Sequence, residues 1–252
     1  MVYFVGAGPG APDLITLRGK TLLEQADVII YAGSLVNPEL LTYARHDCVI
    51  KNSAVMTLED VMACIEDAEA EGKTVVRLHT GDPSVYGAIR EQMDWLAQKG
   101  ISFEIVPGVS SFCAAAAAVQ AEYTLPGVSQ SVIITRMEGR TPVPDRQKIA
   151  DYAAHKATMV IFLSAGMTER LQEELMRGGY DGQTPAAIVY KASWPEELIC
   201  RCTVETLAVT AAEHGIDKTA LILVGPFLGS VYDRSLLYDP AFTHGYRQSS
   251  KT

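Results

Sequence analysis

Residues 5–14, VGAGPGAPDL, hold the densest run of residue types able to seat a small molecule. Read as G-x-G-x-x-A on Gly6, Gly8 and Ala11, the run approaches the glycine fingerprint of dinucleotide-binding turns, where backbone N–H groups at a helix N-terminus hold a pyrophosphate. Three requirements of that chemistry are unmet. Pro9 and Pro12 have no N–H to donate. Asp13 places negative charge near the phosphate position. The second strand ends VIIYAGS without the acid that would hold a ribose. The loop therefore brings backbone close to a different ligand, or it merely turns tightly.

Two further stretches have the same character. RLHTGDPSVYG (77–87) and VPGVSS (106–111) each follow a strand pattern and open a helix pattern. In a parallel sheet both lie at the carboxyl edge, where small residues let a ligand touch backbone. Asp82 is suited to an amine or hydroxyl, or to capping the next helix; Ser110 and Ser111 are equally suited to capping. The cysteines Cys48, Cys64, Cys113, Cys200 and Cys202 form neither C-x-x-C nor a paired framework, and no metal site is expected.

The elements that must position these turns follow from composition and period. The chain has 252 residues, 48% of them hydrophobic, enough for a sizeable core. No apolar run reaches the roughly 18 residues of a membrane helix. The net charge of −9, without a basic cluster, argues against nucleic-acid binding, which rests on phosphate neutralisation. The opening VYFVG shows no signal-type segment, so a cytoplasmic location is expected.

In the first half, VYFVGAG, DVIIYAG, TVVRLHTGDP and SFEIVPG read as strands alternating with helices. TLEDVMACIEDAEAEG is the clearest helix, with Thr57 and Asp60 spaced as a capping box. Val85, Ile89, Met93 and Leu96 mark another. The pattern predicts an α/β fold with a mostly parallel sheet. YTLPGVSQ (123–130) breaks the rhythm, which places the first domain at 1–125. The second, 126–229, has consecutive strands near 186–204 and so a mixed sheet; 230–252 reads as a tail.

Taken together, VGAGPGAPDLITLRG, GDPSVYG, VPGVSS, TMVIFLSAG and TPAAIVYKAS resemble the tetrapyrrole (precorrin) methyltransferases, in order, over residues 2 to about 229. The resemblance implies two α/β domains flanking S-adenosylmethionine, transfer of its methyl to a ring carbon, and a homodimer. YAGSLVNPELL, HTGDPSVYGAIREQM and YKASWPEE are most similar to members acting on carbon 11 of precorrin-4, or its cobalt form, in cobalamin synthesis. Carried over by position, the cofactor would meet Pro9, Thr80, Gly81, Asp82, Val85, Ser110 and Ser111. In the second domain it would meet Met137, Leu163, Ala187 and Ala220. The first loop would line the tetrapyrrole trough through Gly8 and Gly10.

Apolar cofactor positions suit adenine held by packing and backbone groups; core packing is the competing account of Leu163 and Ala220. Asp13 and His79 are the candidate bases. An acidic chain that captures a polycarboxylate needs local cations, for which Arg18 and Arg136 are the candidates, with Arg77, Arg140, Lys191 and Arg201 also near the motifs. The competing readings are methylation of another ring carbon of a precorrin or uroporphyrinogen, a non-catalytic S-adenosylmethionine-binding protein, and a dehydrogenase.

Overall fold

The computed structural model describes residues 1–250. They divide into two compact units, Met1–Ala115 with Lys191–Glu197, and Ala116–Tyr190 with the chain from Leu198 onward. The chain thus changes unit inside the alanine-rich helix, before the Pro–Gly break, and 191–197 is counted with the first unit. No shift in composition marks either point.

In the first unit, β1 (Val2–Gly6), β2 (Val28–Tyr31), β3 (Val49–Asn52), β4 (Val75–His79) and β5 (Phe103–Val106) form an all-parallel sheet in the order β3-β2-β4-β1-β5. Strands β1 and β2 are near-continuous apolar runs because helices cover both faces, whereas β4, VVRLH, buries Arg77 and His79 among its apolar residues. Val2, Phe4, Ile30 and Val75 pack beneath α2 (Leu58–Ala70) and α3 (Arg90–Gln98). Val5, Ile29, Val76 and Leu78 pack on the other face with Leu22 and Leu23 of α1 (Leu17–Gln25).

The capping box of α2 is present: Asp60 N–H donates to the Thr57 hydroxyl at 3.2 Å, and Thr57 N–H donates to the Asp60 carboxylate at 2.9 Å. Two local expectations differ from the structure. Strand β3, VIKN, is a short edge strand with an exposed face, so its sequence lacks the apolar run that marks the others. Helix α3 begins at Arg90 rather than near Val85, because Tyr86 and Ala88 adopt left-handed backbone (φ 57° and 50°) that ends any helical run there.

From β1 the chain moves toward β2, and from β4 it moves the opposite way, toward β5. The carboxyl ends of β1 and β4 therefore flank the point where the strand order reverses. There the backbones of three turns come into contact. A Cβ on Gly6 would lie 2.5 Å from Gly108 Cα and 2.6 Å from the Gly81 carbonyl oxygen; one on Gly108 would lie 2.7 Å from Gly6 Cα. Only hydrogen fits at either place.

The second unit holds β6 (Val132–Arg136), β7 (Thr158–Phe162), β8 (Pro185–Tyr190), β9 (Leu198–Thr203) and β10 (Ala220–Val224), in the order β6-β7-β10-β8-β9. Only β6 and β7 pair in parallel, so the sheet is mixed, as the consecutive strands at 186–204 predict. Residues of α5 (Ile149–Ala153), α6 (Thr168–Arg177) and α7 (Leu207–Glu213) pack on Met159, Ile161, Ile188 and Ile222. Helix α4 (Ser111–Val119) links the units in sequence. The segment after Leu228 is mainly irregular, with one short 3-10 turn at Leu236–Tyr238. Among the described residues, no helix is long and apolar enough to cross a membrane.

The glycine contact generates a stability prediction. Gly6→Ala and Gly108→Ala should each lower the free energy of unfolding in urea by about 1–3 kcal/mol, the ordinary cost of overpacking. Gly245→Ala, where a Cβ meets nothing within 4 Å, should stay within about 0.5 kcal/mol of wild type.

Candidate functional site

The turns after β1 and β4 are joined directly. Gly8 N–H donates to the Gly81 carbonyl at 3.2 Å, and Gly81 N–H donates to the Gly8 carbonyl at 2.8 Å. Both glycines are left-handed, at φ +82° and +60°. A Cβ on Gly81 would sit 3.4 Å from Ser110 Cα, so this turn also lies against the start of α4, which opens at Ser111. Ser110 is buried; Thr80, Val85 and Ser111 are half-buried.

Asp82 ties the β4 turn to the β5 turn. Its carboxylate accepts from Gly108 N–H at 2.9 Å and from Ser84 N–H at 2.8 Å, and also from the Ser84 hydroxyl. Burial pushes its pKa up, but the Ser84 and Gly108 donors outweigh this and hold it below the usual carboxylate range. Asp82 therefore acts in the fold as an ionised brace between two turns.

Beneath these turns lies a buried polar chain. Arg77, 4% exposed, donates from Nε to Gln92 Oε1 at 2.9 Å and from a terminal nitrogen to the Ile30 carbonyl at 2.7 Å. Gln92 in turn donates to the carbonyl of left-handed Ala88 at 3.2 Å. Burial without a carboxylate lowers the Arg77 pKa to about 10. It remains cationic at neutral pH, so Arg77 is a structural cation rather than a free substrate contact. His79 is equally buried, its Nε2 has no partner, and burial followed by the Arg77 charge lowers its pKa to about 3. It is neutral at physiological pH and buried beside Phe4.

The first loop commits its polar groups internally. Ala7 N–H donates to the His79 carbonyl at 2.7 Å, Ala11 N–H to the Ser193 hydroxyl at 3.0 Å, and Leu14 N–H to the Ala11 carbonyl at 3.1 Å. The Pro9 carbonyl accepts from Trp194 Nε1, and the Trp194 indole covers the face of Gly10. A phosphate cradle needs those donors free, which agrees with the exclusion drawn from the prolines. Asp13 is exposed in a 3-10 turn. Arg18 is ion-paired with Glu104 of β5.

In the second unit, Leu163 is 64% exposed and left-handed at φ 52°. The core-packing account of it therefore fails: a large apolar side chain is held outward on strained backbone, a condition that clusters at ligand sites. Its neighbour Ser164 is fully buried and accepts from Met137 N–H at 2.9 Å, so the turns after β6 and β7 are joined. The Met137 side chain itself lies in the core, 3% exposed. Ala187 is buried in β8, and Ala220 opens β10 beside left-handed Thr219. Arg136 donates to the carbonyls of Met137, Thr141 and Pro142 at 3.3, 3.2 and 2.7 Å, folding its own loop.

Within each unit, then, the glycine turns, Asp82 and Ser110 are gathered, as are the turns that hold Met137 and Leu163. The sequence reading gave no role to Asn37, Gln92, Ser193 or Trp194, although they lie inside YAGSLVNPELL, HTGDPSVYGAIREQM and YKASWPEE, because nothing local names their partners. Among the described residues, no group of three His, Cys, Asp or Glu could hold a metal ion.

Residues 1–208 match the family model for tetrapyrrole (corrin/porphyrin) methylases. The chain is 54% identical to cobalt-precorrin-4 C(11)-methyltransferase of Methanocaldococcus jannaschii, over 99% of this chain and 97% of that protein. It is 45% identical to precorrin-4 C(11)-methyltransferase of Sinorhizobium sp, over 98% of each. Its fold is similar to the X-ray structure of a cobalamin biosynthetic enzyme, cobalt precorrin-4 methyltransferase, with TM-score 0.89, 48% identity, and coverage of 91% of this chain and 96% of that one. It is also similar to uroporphyrin-III C-methyltransferase from Thermus thermophilus complexed with S-adenyl homocysteine, with TM-score 0.76, 29% identity, and coverage of 90% and 98%.

Because the folded-state pKa of Asp82 is depressed, its stabilising contribution is complete above the unfolded value of about 3.9 and disappears as pH falls through the lower folded value. In urea titrations, Asp82→Asn should therefore destabilise at pH 7, and the gap to wild type should close as pH falls below about 4. Gln92→Leu, which strands the buried guanidinium Nε, should cost about 1–3 kcal/mol at pH 7.

Proposed function

Because the chain belongs to the tetrapyrrole (corrin/porphyrin) methylases, we propose that it is an S-adenosylmethionine-dependent C-methyltransferase acting on carbon 11 of cobalt-precorrin-4 or precorrin-4, in cobalamin biosynthesis. The observation that carries this reading is the likeness to cobalt-precorrin-4 C(11)-methyltransferase along nearly the whole of both chains. Two left-handed glycine turns meeting at the strand-order reversal, with no free phosphate cradle, support a cofactor site there.

In this reading Pro9, the Thr80–Asp82 turn, Val85, Ser110 and Ser111 hold the cofactor from the first unit. The Met137 backbone, Leu163, Ala187 and Ala220 meet it from the second. When bound, S-adenosylmethionine supplies an electrophilic methyl on a cationic sulfonium. The protein's part is orientation. Left-handed turns braced by Asp82 and the Arg77–Gln92 chain favour one backbone arrangement, and an oriented encounter supplies several kcal/mol of a displacement barrier. Apolar groups such as Leu163 exclude water where charge is being dispersed.

Substrate carboxylates require cations, and the sequence candidates are already engaged. Arg18 would meet a substrate by exchanging Glu104 for it; Arg136 would do so by giving up carbonyls of its own loop. Gly8 and Gly10 would form part of the trough floor as backbone. The family likeness also favours a homodimer, which light scattering would test.

Mass spectrometry after incubation with S-adenosylmethionine and each of the two tetrapyrroles should show one added methyl on the preferred substrate. Unmodified substrate in both reactions overturns the assignment. S-adenosylhomocysteine should raise the melting temperature, as a ligand specific to the native state must, whereas NADH should not. Gly81→Val, which places a β-branched side chain on left-handed backbone beside Ser110, should abolish that shift. An unchanged shift would make this turn structural only.

A further inference from the structure

Residues 191–197, which join β8 to β9 and are counted with the first unit, form a short strap over the first loop. Three successive backbone groups of that loop are each satisfied by a side chain remote in sequence. The Pro9 carbonyl accepts from Trp194 Nε1 at 3.0 Å, the Gly10 carbonyl from buried Asn37 Nδ2 at 2.8 Å, and Ala11 N–H donates to the Ser193 hydroxyl at 3.0 Å. The fit is close enough that a Cβ on Gly10 would run into the Trp194 indole.

The strap is itself braced. Lys191 and Ser193 are left-handed at φ 45° and 68°, a conformation that persists only where the surroundings enforce it. Ser193 N–H donates to the Glu197 carboxylate at 2.6 Å. The Lys191 ammonium lies 5.3 Å from the centre of the Trp194 ring and 3.5 Å from Glu196. Two non-glycine residues in strained backbone, an indole seated on a glycine and three matched hydrogen bonds exceed what a surface turn needs for its own stability. They hold one conformation of residues 9–11.

Resting on the reading that this loop lines the tetrapyrrole trough, we propose that Trp194, Ser193 and Asn37 are positioning residues. They fix the Pro9–Ala11 backbone in the shape that receives the substrate, and they set its KM without contributing to the chemical step.

Trp194→Phe keeps the ring and removes the N–H; Ser193→Ala removes the hydroxyl and keeps the backbone requirement. Each should raise KM for the tetrapyrrole by about threefold to tenfold, the loss expected of one hydrogen bond, with kcat and melting temperature little changed. Gly10→Ala should raise KM in wild type but much less in Trp194→Leu, where the indole no longer opposes the new methyl. Hydrogen exchange of the peptide containing Ala11 requires no substrate, and it should accelerate in Trp194→Phe and Ser193→Ala. Faster exchange with no turnover by wild type would support the strap while overturning the assigned activity. Unchanged exchange, or KM within twofold of wild type in both folded variants of an active enzyme, would overturn the positioning role.

Discussion

The backbone contact between Gly6, Gly81 and Gly108 is the constraint on which the rest depends. Three parallel strands end there, and their turns can meet only if no Cβ intervenes. Once they meet, the paired hydrogen bonds between Gly8 and Gly81 and the Asp82–Gly108 bond become geometrically available. The junction that results is built from peptide groups rather than side chains.

Order beneath that surface comes from an expensive arrangement. A buried guanidinium with no carboxylate partner is unfavourable unless its donors are used, and Arg77 uses them on Gln92 and the Ile30 carbonyl. The chain it begins ends on the carbonyl of Ala88, the left-handed residue that follows GDPSVYG. Leu163 and Thr219 repeat the theme in the second unit. Backbone strain and buried polarity thus lie beside the same motifs that carry the family likeness.

Much of this was legible beforehand. Near-continuous apolar strands with capped, amphipathic helices between them dictate a parallel sheet, and Thr57 with Asp60 delivered the cap they promised. Pro9 and Pro12 were enough to exclude a phosphate cradle. What sequence concealed falls into two kinds. Left-handed backbone at alanine, leucine or serine has no residue-type signature, so the late start of α3 and the outward Leu163 were invisible. Contacts between distant segments were equally hidden: nothing local links Trp194 to Gly10, Asn37 to the Gly10 carbonyl, or Glu104 to Arg18. The last of these matters most for the substrate, since an arginine chosen by its neighbourhood in sequence already has a carboxylate beside it.

The strand order β3-β2-β4-β1-β5 also sets a timetable for the nascent chain. Val2–Gly6 leaves the ribosome well before the strands it pairs with, Val75–His79 and Phe103–Val106. At roughly 5–20 residues per second, β1 waits on the order of 4–15 s for β4 to be made, and longer for β5. During that interval a fully apolar strand is without its sheet. The second unit includes a pairing of the opposite kind, since β9 follows β8 after a short link and can zip up at once. Strand β1 is therefore in need of protection while the chain up to β4 and β5 is being synthesised.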